Sequence, residues 1–118
     1  MAFDEALAGR IRQVLRGQEP VTEKRMFGGI AFLVNGHMCC GVVGTDLMVR
    51  VGPADYAASL QEPHAREMDF TGRPLKGFVY VSPQGSATSQ QLTSWVERSL
   101  RYAGTLPVKK PRFKQKKR

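Results

Sequence analysis

Residues 26–51, MFGGIAFLVNGHMCCGVVGTDLMVRV, decide how this chain folds. Two apolar runs, Gly28–Val34 and Met38–Val43, flank Asn35-Gly36. An Asn-Gly pair between such runs predicts a two-residue hairpin, because both central residues of that turn need positive φ. A third run, Leu47–Val51, follows the polar break Gly44-Thr45-Asp46, and the spacing predicts a three-stranded antiparallel meander. In the third run Leu47, Val49 and Val51 alternate with Met48 and Arg50, giving one apolar face and one that is at least partly wet. The first run is apolar on both faces, so it belongs inside the sheet or beneath another element or a partner chain.

Upstream, Phe3, Leu7, Ile11, Val14 and Leu15 fall on one stripe of a helix over residues 3–16, with Asp4 and Glu5 in its first turn and Gly17 as its stop. Gln18-Glu19-Pro20 is the polar link to the meander. Downstream, Gly52-Pro53 opens a short helix whose stripe is Tyr56, Ala57 and Leu60, with Pro53 at its first position. Met68–Phe70 and Phe78–Val81 read as a second hairpin joined by a Gly- and Pro-containing loop over 71–77. Thr88 and Gln91 match a capping box, and Leu92, Trp95, Val96, Ser99, Leu100 and Ala103 follow at helical spacing up to Gly104. The order α-β-β-β-α-β-β-α predicts an α+β domain of two layers: a mainly antiparallel sheet with helices on one face.

The chain has 118 residues and a formal net charge of +8, but seven of its 18 basic residues lie in the last ten positions. Residues 1–106 carry 11 basic and 10 acidic side chains, so the body is nearly neutral and the basicity belongs to a tail. The division expected is a folded domain over 1–106 and a disordered basic extension over 107–118. Cys39 and Cys40 are neighbours in a strand, which should send their side chains to opposite faces as free thiols, in keeping with a reducing, cytoplasmic setting. Met1–Arg16 has acids at its start and a helical period, unlike an export signal, and no apolar run reaches the ~20 residues of a membrane span.

Lys24-Arg25-Met26-Phe27-Gly28-Gly29, the strand and Asn-Gly turn after it, Met38, and Asp46–Val51 together resemble the N-terminal domain of the TfoX/Sxy family of bacterial competence regulators. Met68–Val81 and the helix containing Trp95 continue the likeness, which covers about residues 3–106. The resemblance implies a secretion-chaperone-like fold with the same order of elements. The regulators that name the family carry a second, helical domain after this one. In its place the sequence has the basic tail, so a stand-alone form is expected.

The residues offer little for catalysis. Gly28-Gly29 lacks the spacing of a phosphate loop and precedes a strand, where a bulge or close packing explains it. His37, Cys39 and His64 fall short of a four-coordinate zinc set. Gly85-Ser86-Ala87 lacks the nucleophile-elbow pattern, and Glu62, Glu67 and Asp69 read as solvated acids. No catalytic, cofactor or metal residue is assigned. Lys24, Arg25, Arg50, Arg73 and Lys76 form a candidate patch for an anion or a partner, converging with Tyr80 if the two hairpins are neighbours. Lys109, Lys110, Arg112, Phe113, Lys114, Lys116, Lys117 and Arg118 form a candidate arm for non-specific phosphate binding, with Phe113 able to stack on a base.

Three functions follow from these features. The first is a non-enzymatic regulatory or binding module acting through protein contacts on its sheet face or edge, a homodimer included. The second is a nucleic-acid-associated protein whose tail supplies the affinity. The third is a small-anion sensor or enzyme built on the cation patch.

Overall fold

The computed structural model describes residues 3–17, 21–26, 28–69 and 74–106. The elements are α1 (Glu5–Val14), β1 (Val21–Met26), β2 (Gly29–Val34), β3 (His37–Val43), β4 (Asp46–Arg50), α2 (Tyr56–Leu60), β5 (Ala65–Asp69), β6 (Pro74–Val81) and α3 (Ser89–Ala103), with a 3-10 turn at Pro83–Gly85 before α3. The expected succession is present, with β1 added ahead of the meander. The strands form one six-stranded antiparallel sheet in the order β1-β2-β3-β4-β6-β5. The two hairpins are therefore neighbours through β4 and β6, and β2 is an interior strand, as its two apolar faces require.

Local chemistry sets the boundaries. Asn35 and Gly36 take φ of 55° and 85°, closing the β2–β3 hairpin with both residues left-handed. Asp4 caps α1 by accepting from the backbone N–H groups of Ala6 (2.9 Å) and Leu7 (3.1 Å). At α3 the Thr88 hydroxyl accepts from Gln91 N (3.0 Å), and the Gln91 side chain accepts from Thr88 N (2.9 Å), a complete capping box. Helix α2 starts later than its proline suggests. Gly52 has a φ of 86° and Asp55 lies outside helical geometry, so Pro53 belongs to the turn before Tyr56.

All three helices cover the same side of the sheet. Phe32, Val42, Leu47, Val49, Val79 and Val81 from the strands meet Leu7 and Ile11 of α1 and Leu92, Trp95 and Val96 of α3, with Tyr56 and Leu60 of α2 packed at the margin. Burial of these large apolar side chains is the main source of stability, each contributing about 1.5–3 kcal/mol relative to exposure.

A bulge in β3 overturns the expectation for the cysteines. Cys40 lies opposite Phe32 while Met38 lies opposite Leu33, so Cys39 is an extra residue in its strand. Strand alternation fails there, and both thiols enter the same helix-covered core, unbridged. Ser99 of α3 donates its hydroxyl proton to Val96 O (2.7 Å), leaving the oxygen to accept from the Cys39 thiol at 2.8 Å. The hydrogen bond with Cys39, together with burial, pushes the Cys40 thiol well above its ordinary pKa. No helix among the described residues is long and apolar enough to cross a membrane.

Candidate functional site

The strand registers sort the regularly paired strand residues onto one of two faces, because directly opposed residues of an antiparallel pair share a face. Phe32 and Cys40 mark the helix-covered face. On the other, Ala31 opposes Gly41, Leu33 opposes Met38, Met48 opposes Gly41 and Tyr80, and Arg50 opposes Phe78. Ala31, Met48 and Met68 are buried at the floor of this second face, with Leu33, Met38, Val43, Phe78 and Tyr80 half-buried around them. Among the described residues no helix lies over this apolar surface. Gly41 keeps it flat: a Cβ there would collide with the Ile30 carbonyl oxygen of β2 and stand 2.8 Å from the Met48 methyl and 3.0 Å from Ala31 Cα.

Charge is sorted as well. Lys24 opposes Ala31 and Arg66 opposes Tyr80, placing both with Arg50 on the uncovered face. Asp46, opposite Val43, is the carboxylate that joins them, paired with Arg66 at 2.5 Å. Glu23 and Glu67 oppose Phe32 and Val79 and therefore point to the helix side. There Glu23 holds Arg12 through two hydrogen bonds of 2.7 and 2.9 Å, which set the Glu23 carboxyl below its ordinary pKa. The guanidinium of Arg50 lies 5.6 Å from the Phe78 ring centre and 5.2 Å from that of Tyr102, donating to Met38 O at 3.4 Å. Arg66 lies 5.1 Å from the Tyr80 ring centre. Both cations thus cap aromatic rings while remaining partly wet.

Among the described residues, Lys24, Arg25 and Arg50 of the expected cation patch are not gathered in one place. Lys24 and Arg25 are neighbours in β1 and face opposite sides, Arg25 lying 5.5 Å over the Phe3 ring. Lys24 shares the uncovered face with Arg50 but stands three strands away, roughly 14 Å at ordinary strand spacing. Lys76 is exposed in β6, and Arg73 lies outside the described residues, as does the whole basic extension from Lys109 to Arg118. The cation that meets Tyr80 is Arg66, which the sequence reading passed over. The sequence points to a sheet face or edge as the interface without singling out the residues between Lys24 and Arg50, for which alternation in Ala31-Leu33, Met48-Arg50 and Phe78-Tyr80 carries the signal.

His37 sits opposite Val34 at the start of β3, Cys39 is bonded to Ser99 in the core, and His64 stands in the α2–β5 connection with a φ of 69°. Among the described residues no cluster of three or more His, Cys, Asp or Glu is placed to hold a metal. A cleft of about 380 Å³ runs between that connection and α3, lined by Glu62, His64, Gln91, Ser94, Trp95 and Arg98 among others. Its main cation has structural partners: Arg98 donates to Ser59 Oγ (3.0 Å) and Glu62 (3.3 Å) and lies 4.7 Å from the Trp95 ring centre. Those bonds tie α2 to α3.

Comparison with curated proteins finds no match. The family model described as the TfoX N-terminal domain matches residues 13–103, which takes in every strand, α2 and the whole of α3. With that match over most of its length and an α+β sheet covered by helices on one side, the chain belongs to the TfoX N-terminal domain family.

Proposed function

We propose that this protein is a non-enzymatic regulatory module that works through protein contacts made on the uncovered face of its sheet. The observation that carries this reading is the sorting of elements: three helices crowd one side, while the other holds Leu33, Met38, Val43, Phe78 and Tyr80 half-buried over a closed floor of Ala31, Met48 and Met68, with cations at its margin. Apolar surface of that kind on one folded body is a signature of an interaction site. Residues 1–106 serve as the binding body and 107–118 as an appendage, in the cytoplasm, where two unbridged cysteines are at home.

Site-specific photo-cross-linking in cells tests it, with benzoylphenylalanine at Val43 on this face and at Gln13 on the outer side of α1. Adducts that form from position 43, are removed by protease and are absent from position 13 are the expected result. Adducts removed by nuclease, or none from position 43, would refute it.

The second reading is carried by the seven cations in residues 109–118, which suit non-specific phosphate binding. Anisotropy of labelled duplex DNA and RNA, with the whole chain and with a chain ending at Pro107, separates the two. Binding that falls steeply with salt and disappears on truncation favours the nucleic-acid role.

A further inference from the structure

We infer that the occupant of the uncovered face is an acidic amphipathic segment of a partner protein, with its apolar stripe on the sheet centre and its carboxylates toward Lys24 and Arg50. This inference rests on the protein-contact reading above and specifies the chemistry of the partner.

The centre of the face suits a helical or irregular apolar stripe. Met38 stands half-buried on it above Met48 and Met68, whose side chains close its floor, and methionine, unbranched and polarisable, adjusts its shape to the group laid on it. Leu33, Val43, Phe78 and Tyr80 complete a surface that is half-buried in the chain alone. Recognition of this type uses anchors at i, i+3 or i+4, and i+7 of an amphipathic helix.

Charge then decides among occupants. Lys24, Arg50 and Arg66 face outward on this side of the sheet, where Asp46 is the carboxylate paired with Arg66, while Glu23 and Glu67 are turned to the helix side. A second copy would bring the same cations against these. The chain's own residues 107–118 would bring seven cations and no acid. A single-stranded nucleic acid needs open aromatic faces for its bases, but the Phe78 and Tyr80 rings already carry Arg50 and Arg66, and the rest of the centre is aliphatic. An acidic protein segment satisfies both the centre and the rim.

The test uses the full chain labelled with carbon-13 at its methionine methyl groups. Met38, Met48 and Met68 report on the face, with Met1 and Met26 as further signals. The probe is a peptide of about 18 residues, five helical turns, with Leu, Met and Phe along one stripe and Glu on its flanks. A counterpart carries Lys in place of each Glu. The expected result is that the Glu-flanked peptide shifts the three face methyls and binds about tenfold more tightly than the Lys-flanked one, equivalent to ~1.4 kcal/mol. Lys24→Glu, an exposed edge substitution that leaves the core intact, should narrow or reverse that preference. Unmoved methyls, or equal binding of the two peptides, would overturn the inference. So would methyl shifts that grow on concentrating the protein alone, which mean a second copy, or shifts produced more readily by a single-stranded oligonucleotide. A protease-sensitive cross-link at position 43 combined with indifference to peptide charge would defeat this inference and leave the broader protein-contact reading standing.

Discussion

Leu47 and Met48 are adjacent, equally buried at 0% and 1% exposure, and lie on opposite faces of β4. Truncating each to alanine therefore measures how each face is closed, with backbone position held almost constant. Each substitution deletes about three carbon- or sulfur-sized groups, a transfer loss of roughly 2.4 kcal/mol at ~0.8 per methylene. At Leu47 the gap is sealed between sheet and helices, so a cavity term of ~24 cal/mol per Å³ adds to it, for a total of about 3–4 kcal/mol. At Met48 the flexible Met38 and Tyr80 side chains can settle into the gap, and water can reach what they leave. The expected cost there is ~2 kcal/mol or less. With an m-value of about 1–3 kcal/mol per molar urea, the difference is readable as separate midpoints in equilibrium unfolding. A Met48→Ala cost equal to or above that of Leu47→Ala would show that the second face is sealed in the free protein, and the reasoning about an uncovered surface would fail.

Other substitutions probe single contacts. Thr88→Ala removes the hydroxyl that accepts from Gln91 N, leaving only the bond from the residue-88 backbone N–H to the Gln91 side chain, and should cost ~1 kcal/mol in urea unfolding. The Tyr56 hydroxyl is shielded from solvent and has no hydrogen-bond partner among the described residues, with burial and then the Glu67 charge raising its pKa, so Tyr56→Phe should be neutral or stabilising by up to ~1 kcal/mol in thermal melts. Glu23 titrates at lower pH in the folded chain than in the unfolded one, since Arg12 favours its carboxylate. The pair's stabilisation is thus present above the ordinary glutamate pKa and lost as pH falls through the lowered folded value. With side chains 44% and 39% exposed, its size should stay below ~1 kcal/mol, shrink in salt, and vanish in Glu23→Gln when melts are compared across that acid range.

The parts of this structure that were legible from sequence are those fixed by local chemistry. Asn35-Gly36 could form little except a tight hairpin, and Thr88 with Gln91 announced α3 before its apolar stripe began. β1 was missed because Thr22-Glu23-Lys24-Arg25 looks like a solvated link. Those charges are what an edge strand carries to deter pairing with other chains. The bulge at Cys39 was invisible because no residue type in β3 requires one, and only the register against β2 reveals the extra residue. The same limit hid the candidate site. Alternation divided Met48 and Arg50 from Leu47 and Val49, but identifying which side the helices cover required knowing where α1 and α3 pack. Lys24 and Arg25 are separated for a related reason: they are adjacent in sequence and so cannot share a face of one strand.

The two thiols brought together by that bulge supply the protein with its own opening clock. Neither sulfur meets solvent, and each has a neighbour on α3 or in the strand beside it. An aromatic disulfide reagent can reach them only while α3 is lifted from the sheet. When opening and reclosing are fast, the labelling rate gives the free energy of that opening. When reagent outruns reclosing, it gives the opening rate itself. Because the side chains lie under one helix, reagent that outruns reclosing should modify both in the same event, and mass spectra should then pass from zero labels to two with little of the singly labelled chain between.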